Sequence, residues 1–541
     1  MKRILLFFAI SGIIVACNDI LGSKSAGKNK EEKKVSARDY SITKKNSYSD
    51  LFFDSTSLIK FISEKKLDTP LSRRLISFYN TRNYQFAWFT SNGLTEQARG
   101  FWNLHDYVTT YDQDSTLEDK DLQKRMDNWI TEDDLNVVAT NKNYLNTELT
   151  LTQHFIQYIL NNYEKGFVKR KEMERFIPFK KQDPLQLADS LINKKHNDDK
   201  YFEDVNPEYS KLKDQLEKYY AIVKNGGWPE VKISKNKKQL TGDEVVILKK
   251  RLQISGDLVG NDSSGIFNDT LKTAIKNFQT RYGFTPTGEL TDKEISALNV
   301  SAMDRLEQLI INMDRMRWQA AEQKGNLIVV NIPEFKLHMY EDSAEVFDMV
   351  VVVGKEGHNT MMFNGDLNQV VFSPYWNVPP AIVRNEILPS MEKKPGYLES
   401  QHMEIVKNDG ELPVIRQKPG TGNALGKVKF LFPNSFNIYF HDTPSKSLFE
   451  KDVRAFSHGC IRLKEPEKMA RYVLRNQPEW TEDKINDAMN SGEEKYVKVK
   501  DPIPVVITYY TAWVDNNGQL NFREDIYDHD KKLANKMFYQ D

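Results

Sequence analysis

The sequence predicts an α+β multidomain protein, a helical N-terminal half followed by a β-rich C-terminal half. Three observations predict it. Apolar residues recur at helical spacing from about residue 50 to 300. From about residue 325 they change to alternating or β-branched runs. The chain of 541 residues is several times one ordinary domain, enough for about three or four folded units. Hydrophobic residues are 39% and charged residues 28%, the balance of a globular chain rather than a disordered or membrane-embedded one. Lys+Arg and Asp+Glu stand at 76 each, so no net field draws the chain to nucleic acid, and no nucleic-acid partner is expected.

The N-terminus lies outside the fold. Lys2 and Arg3 precede an apolar run from Ile4 to Ala16, too short for an ordinary membrane span and suited to an export signal. The run closes on Ile14-Val15-Ala16-Cys17, which resembles the lipobox of bacterial lipoproteins. That resemblance implies a signal peptide over 1–17, a lipid on Cys17 and a periplasmic protein held to a membrane by that lipid. Only two cysteines exist, Cys17 and Cys460. With Cys17 lipidated, Cys460 has no disulfide partner and stands as a free thiol in an oxidising compartment.

Residues 18–47 are polar and lysine-rich, which predicts a solvated tether averaging roughly 30 Å and reaching about 100 Å when extended. A helical scaffold domain is expected over 48–235. Phe155, Ile156, Ile159, Leu160 and Tyr163 share one face before Gly166, and Leu212, Leu216, Tyr219 and Val223 form a second stripe before Asn225-Gly226-Gly227. Two SxxK matches, from Ser57 and Ser63, lack a following KTG and carry no serine chemistry. His105, His154 and His196 show no metal-ligand spacing and are expected on the surface or in packing. Residues 240–300 predict a compact three-helix unit: Val245, Leu248 and Leu252, then Leu271, Ile275, Phe278 and Tyr282, then a capping box at Thr291 and Glu294. Its segments Gly265-Ile-Phe-Asn-Asp-Thr270 and Gly283-Phe-Thr-Pro-Thr-Gly288 resemble the small peptidoglycan-binding domain.

A connecting helix is expected within 301–324. A β-rich catalytic domain follows over 325–512, with strands at Leu327–Val330, Lys336–Tyr340 and Val346–Val353 and a lid inserted over about 380–435. A C-terminal extension, 513–541, completes the chain; Val505 to Tyr510 suggests a further strand, and His529 is expected on the surface.

A thiol attacks an acyl carbon as its thiolate, so Cys460 needs a base or cation beside it. His458 lies two residues before it, but Gly459 bends the chain between them. His441 lies 19 residues before it, at the end of the alternating run Phe436–His441, where a strand can bring it opposite Cys460. Amides near Gly459 and Cys460 can converge as an oxyanion hole. Ser457 can hold a ring nitrogen or a substrate group, and Arg462 can anchor a carboxylate or tie down the turn.

His441 followed by Ser457-His458-Gly459-Cys460-Ile461-Arg462 resembles the signature of the L,D-transpeptidase catalytic domain. Tyr439-Phe-His-Asp-Thr-Pro444, Ser373-Pro-Tyr-Trp-Asn-Val-Pro-Pro380 and Pro419-Gly-Thr-Gly-Asn-Ala-Leu-Gly426 resemble the large multidomain Gram-negative branch. One position departs: Met361 follows the Gly354–Thr360 turn where proline is expected. The resemblance implies Cys460 as nucleophile, His441 as base, the backbone carbonyl of Asp442 as orienter of the ring, and Trp376 and Tyr439 as substrate-lining residues. It implies no metal and no cofactor, and peptidoglycan stem peptides and glycan as partners. The reaction would release D-alanine from a tetrapeptide and cross-link two third-position diaminopimelates. An L,D-carboxypeptidase, a protein-to-wall ligase and an inactive wall-binding lipoprotein are the alternatives.

Overall fold

The structure, a computed structural model, describes residues 35–110, 115–132, 135–163, 177–193, 207–233, 240, 242–318, 325–408 and 410–539. The export signal, Cys17, Gly166 and His196 lie outside the described residues.

The helical half begins with α1 (Ser55–Glu64) and α2 (Thr69–Thr81), each opened by an aspartate, Asp54 or Asp68, whose side chain accepts a first-turn amide. Then come α3 (Glu96–Thr110), α4 (Lys120–Trp129), α5 (Lys142–Tyr163), α6 (Pro184–Ile192) and α7 (Pro207–Lys224). Phe155, Ile156 and Ile159 on α5 and Leu212, Leu216 and Tyr219 on α7 enter the core. The three-helix unit comprises α8 (Asp243–Ile254), α9 (Asp269–Arg281) and α10 (Asp292–Asn299), and α10 is opened by the Thr291/Glu294 capping box. His105 and His154 are buried, stacked with ring centroids 5.2 Å apart, and lie inside the packing of α3 against α5.

Two expectations change here. The tether expected through residue 47 is docked from residue 35 onward. Ser36 N–H donates to Ser77 Oγ, Asn83 Nδ2 donates to the Ile42 carbonyl, and Ile42 is fully buried. Asparagines of the helical half thus satisfy backbone groups that a polar composition alone leaves to water. The connecting helix α11 (Ala302–Met316) is not a spacer: Leu306, Leu309, Ile310 and Ile311 are buried, and it packs along α7. It is the central rod of the helical half.

The β-rich half is built on one closed nine-stranded sheet. Its strands are β1 (Asn326–Asn331), β2 (Lys336–Glu341), β3 (Ala344–Gly354), β4 (Phe363–Phe372), β8 (Val428–Leu431), β9 (Phe440–His441), β10 (Ala455–Ser457), β11 (Ile461–Leu463) and β12 (Lys495–Thr508), in the order β10-β3-β11-β9-β8-β4-β12-β1-β2, with β2 also pairing back onto β3. Ile328, Val330, Val351, Val353, Val370 and Val505 fill its core together with α12 (Pro466–Val473) and α13 (Glu482–Asn490). β5 (Trp376–Asn377), β6 (Met403–Lys407) and β7 (Val414–Gln417) make a separate three-stranded sheet. With the short helices between 380 and 400 it encloses its own apolar cluster of Val378, Ile382, Val383, Ile387 and Ile415. This is the lid. Its expected end near 435 moves back, because β8 belongs to the main sheet.

The C-terminal residues are no appendage. The hairpin β13 (Ala512–Val514) and β14 (Leu520–Phe522) and the helix α14 (His529–Met537) bury Ala512, Val514, Phe522 and Leu533 in the core of the helical half. His529 is half-buried rather than exposed: it packs edge-on against Tyr509, centroids 4.7 Å apart, and burial pushes its pKa down to about 3.

Candidate active site

The site is built where two short strands run side by side. β9 pairs in parallel with β11, placing Phe440 opposite Ile461 and His441 opposite Arg462. The Ile461 amide donates to the Tyr439 carbonyl, so Tyr439 sits level with Cys460. The strand expected from Phe436 shrinks to two residues because Asn434 intervenes. Its Oδ1 accepts the amides of Phe436 and Ile438, and Asn437 turns to φ +54. A side chain that bonds its neighbours' backbone competes with the ladder.

His441 is 4% exposed. Its Nδ1 lies 2.5 Å from the Asp442 carbonyl, and a carbonyl only accepts, so Nδ1 carries the hydrogen and Nε2 is left as the proton acceptor. Burial, with the Arg462 charge beside it, pushes His441 down to about 3. The ring is therefore neutral at pH 7. Burial pushes the Cys460 thiol up to about 11, while the Tyr439 amide, the Tyr439 phenol and the Arg462 guanidinium oppose that rise by favouring the thiolate. In the resting site the thiol donates to the Asn437 carbonyl at 3.7 Å. The result is a neutral thiol and a neutral imidazole, with thiolate-stabilising donors already placed around the sulfur.

The remaining candidates fall into distinct positions. Gly459 takes φ +107, a conformation that favours glycine. Ser457 neither holds a ring nitrogen nor faces substrate: its hydroxyl donates to the Cys460 carbonyl at 2.5 Å and accepts the Gly459 amide at 3.1 Å. That closes the turn and removes the Gly459 amide from any oxyanion hole. His458 is exposed, and its Nε2 lies 2.8 Å from Glu386 Oε1 on the lid. Arg462 is half-buried and its Nε has no partner among the described residues, leaving it open to an anionic group. The Asp442 carboxylate is structural, accepting the Lys427 amide and pairing with Lys446. Tyr439 touches both reacting groups, with its ring 5.7 Å from His441 and its phenol on Cys460. Trp376 packs half-buried against the lid's own apolar cluster.

Two residues that the sequence did not single out complete the turn. The Thr360 hydroxyl donates to the Gly459 carbonyl at 2.7 Å and accepts the Gly354 amide at 2.9 Å. The Tyr527 hydroxyl donates to the Gly354 carbonyl at 2.6 Å and accepts the Thr360 amide at 3.2 Å. Nothing in the sequence near Cys460 announces them, although Thr360 closes the glycine-lysine turn.

His338, Glu345 and Asp348 are the grouping at metal-ligand distances among the described residues. Their charges are already matched: His338 bonds Glu334 and Glu345, and Lys336 pairs with Asp348. A large cavity, about 1320 Å³, lies between the three-helix unit and the sheet, lined by Phe284, Tyr340 and Trp513 among others. Neither Cys460 nor His441 lines it, so size and chemistry point to different places, and the nucleophile marks the site.

A half-buried cysteine in the bend before β11 and a buried histidine on the paired strand β9 can perform acyl transfer. Residues 325–507 match the L,D-transpeptidase catalytic domain, residues 73–216 a scaffold domain and residues 241–298 a "putative peptidoglycan binding domain". A "Putative L,D-transpeptidase" of Haemophilus influenzae is 32% identical over 243 residues, 42% of this chain and 49% of that protein. The chain thus spans about half the length of that curated relative. Among solved structures, an L,D-transpeptidase from Stackebrandtia nassauensis aligns at 14% identity over 52% of this chain and 96% of its own, with a TM-score of 0.22. One from Mycobacterium smegmatis aligns at 16% identity over 34% and 58%, with a TM-score of 0.19. In chain order, then, the sequence is similar to a scaffold domain, a peptidoglycan-binding domain and an L,D-transpeptidase catalytic domain.

Proposed function

We propose that this protein is a peptidoglycan L,D-transpeptidase that joins third-position diaminopimelate residues through a thioester on Cys460. The observation that carries the reading is the neutral Cys460 and His441 pair. His441 is fixed by the Asp442 carbonyl, and Tyr439 and Arg462 are set to favour a thiolate. His441 Nε2 takes the thiol proton as Sγ attacks the carbonyl between diaminopimelate and the terminal D-alanine. The carbonyl π pair moves onto oxygen. Collapse breaks the C–N bond, and D-alanine leaves with the proton from His441. The side-chain amine of a second diaminopimelate then attacks the thioester, gives its proton to His441 and releases the thiol. Arg462 would hold a substrate carboxylate, and a lipid on Cys17 would keep the enzyme at a periplasmic membrane.

The test is the detergent-purified full-length chain with disaccharide-tetrapeptide, read by mass spectrometry. A cross-linked dimer lacking one D-alanine is expected from the wild type and none from Cys460→Ala; equal yields would overturn the reading. Tripeptide alone would make the protein a carboxypeptidase. A carbapenem adduct is expected on the wild type and not on Cys460→Ala.

A further inference from the structure

We propose that Thr360 is a positioning residue for acyl transfer. By holding the Gly459 carbonyl it orients the Gly459–Cys460 peptide so that the Cys460 amide becomes the oxyanion donor of the turn. The inference rests on Cys460 as the acyl acceptor.

The geometry runs through one peptide plane. In a trans peptide the carbonyl of residue 459 and the amide of residue 460 point in opposite directions, and the chain has no cis peptide bond among the described residues. Whatever fixes the Gly459 oxygen therefore aims the Cys460 N–H. The Thr360 hydroxyl does so at 2.7 Å, and Gly459 at φ +107 gives the plane the freedom to take that orientation. The Gly459 amide is occupied by Ser457 Oγ, so it is the Cys460 amide that the turn can offer to developing negative charge.

Thr360 is itself over-determined. It is 2% exposed, its Oγ1 accepts the Gly354 amide, and its own amide is held by Tyr527. Gly354 has no room for a Cβ, which would lie 2.0 Å from the His358 carbonyl and 2.8 Å from the Thr360 nitrogen. The segment from Gly354 to Thr360 is thus wound tightly against the nucleophile turn. Tyr527, 3% exposed, is fixed in turn by the bond from its amide to the Tyr509 hydroxyl at 2.9 Å. A donor held before charge develops needs no reorganisation during the reaction.

The experiment separates acyl transfer, which passes through an oxyanion, from alkylation, which does not. The full-length chain with Cys17→Ser leaves Cys460 as its one thiol. Its acetylation by p-nitrophenyl acetate is followed by p-nitrophenolate release and intact mass, and its alkylation by iodoacetamide is followed in parallel. Thr360→Val is expected to slow acetylation about 10- to 100-fold while alkylation stays within about threefold, and Thr360→Ser to recover most of the loss. Unchanged acetylation in Thr360→Val, or equal losses in both reactions, would overturn the proposal. Should Thr360→Val fail to fold, Tyr527→Phe decides: a selective loss of acetylation supports it and equal rates overturn it. A wild type that accepts the acetyl group but forms no cross-link removes the peptidoglycan reading and leaves this one standing. A wild type that accepts neither acetyl nor iodoacetamide overturns both.

Discussion

At the scale of single residues, the chemistry of the site is a contest between burial and a few donors. Burial holds Cys460 at about 11, so its thiolate fraction falls tenfold for each pH unit below that value. Alkylation by iodoacetamide should keep climbing through pH 10, whereas a cysteine near 8.5 levels off by about pH 9.5. A plateau by pH 9 would refute the raised value, and one already reached by about pH 7 would show a thiolate–imidazolium pair instead. Tyr439 opposes burial through its amide and its phenol. A hydrogen bond to a charged group contributes about 1.5–3 kcal/mol, so Tyr439→Phe should slow Cys460 acylation roughly 10- to 100-fold and shift the alkylation profile upward. An unchanged profile would mean the phenol serves packing alone. Spacing made His441 and Cys460 legible together, because a strand end and a turn 19 residues apart can be neighbours. Thr360 and Tyr527 were not legible: they reach the turn from 99 residues before Gly459 and from 173 residues after Gly354, and no local pattern encodes such a contact. Ser457 supports the turn through its own hydroxyl, a local bond that the motif alone does not separate from a contact to a ring nitrogen or substrate.

Elements position these residues by closing tightly on one another. Gly426, at φ +61, approaches Asp442 so closely that a Cβ would lie 2.3 Å from Asp442 Oδ2. Gly426→Ala should therefore cost roughly 1–3 kcal/mol in urea unfolding. It should also reduce acylation, because displacing Asp442 moves the carbonyl that fixes His441; wild-type values of both would refute the link. The lid behaves as a unit with a small core of its own, and it meets the nucleophile turn through Glu386 and His458. That pair is largely exposed, so Glu386→Gln should change stability by less than about 1 kcal/mol while increasing proteolytic cutting between residues 380 and 417. Cutting equal to wild type would mean that other contacts hold the lid. Strands and amphipathic helices were readable from their periods. The shortening of β9 was not, because it follows from one asparagine outcompeting a ladder.

For the whole molecule, the two halves are joined by their last residues. Arg315 on the central helix is 7% exposed and pairs with Glu96 on α3 and Asp530 on α14, so three distant stretches of chain meet on one guanidinium. Arg315→Ala leaves two carboxylates short of their counter-charge and should destabilise the protein by about 3–5 kcal/mol, measured by urea unfolding. A loss under about 1 kcal/mol would mean water reaches the site. The sequence suggested an extension after residue 512, since short strands and one helix read alike whether they hang free or dock. Their burial against α7 and α11 depends on partners about 200 to 300 residues away, which composition does not reveal.

The Tyr527 contact carries a temporal consequence. Tyr527 holds Gly354 and Thr360, Thr360 in turn holds the Gly459 carbonyl, and the long strand β12 must slot between β4 and β1 before the sheet can close. A nascent chain that has not yet docked Tyr527 therefore holds its thiol in an unfinished turn. Reactivity arrives once the segment carrying Tyr527 has docked, 173 residues after the Gly354 turn it braces.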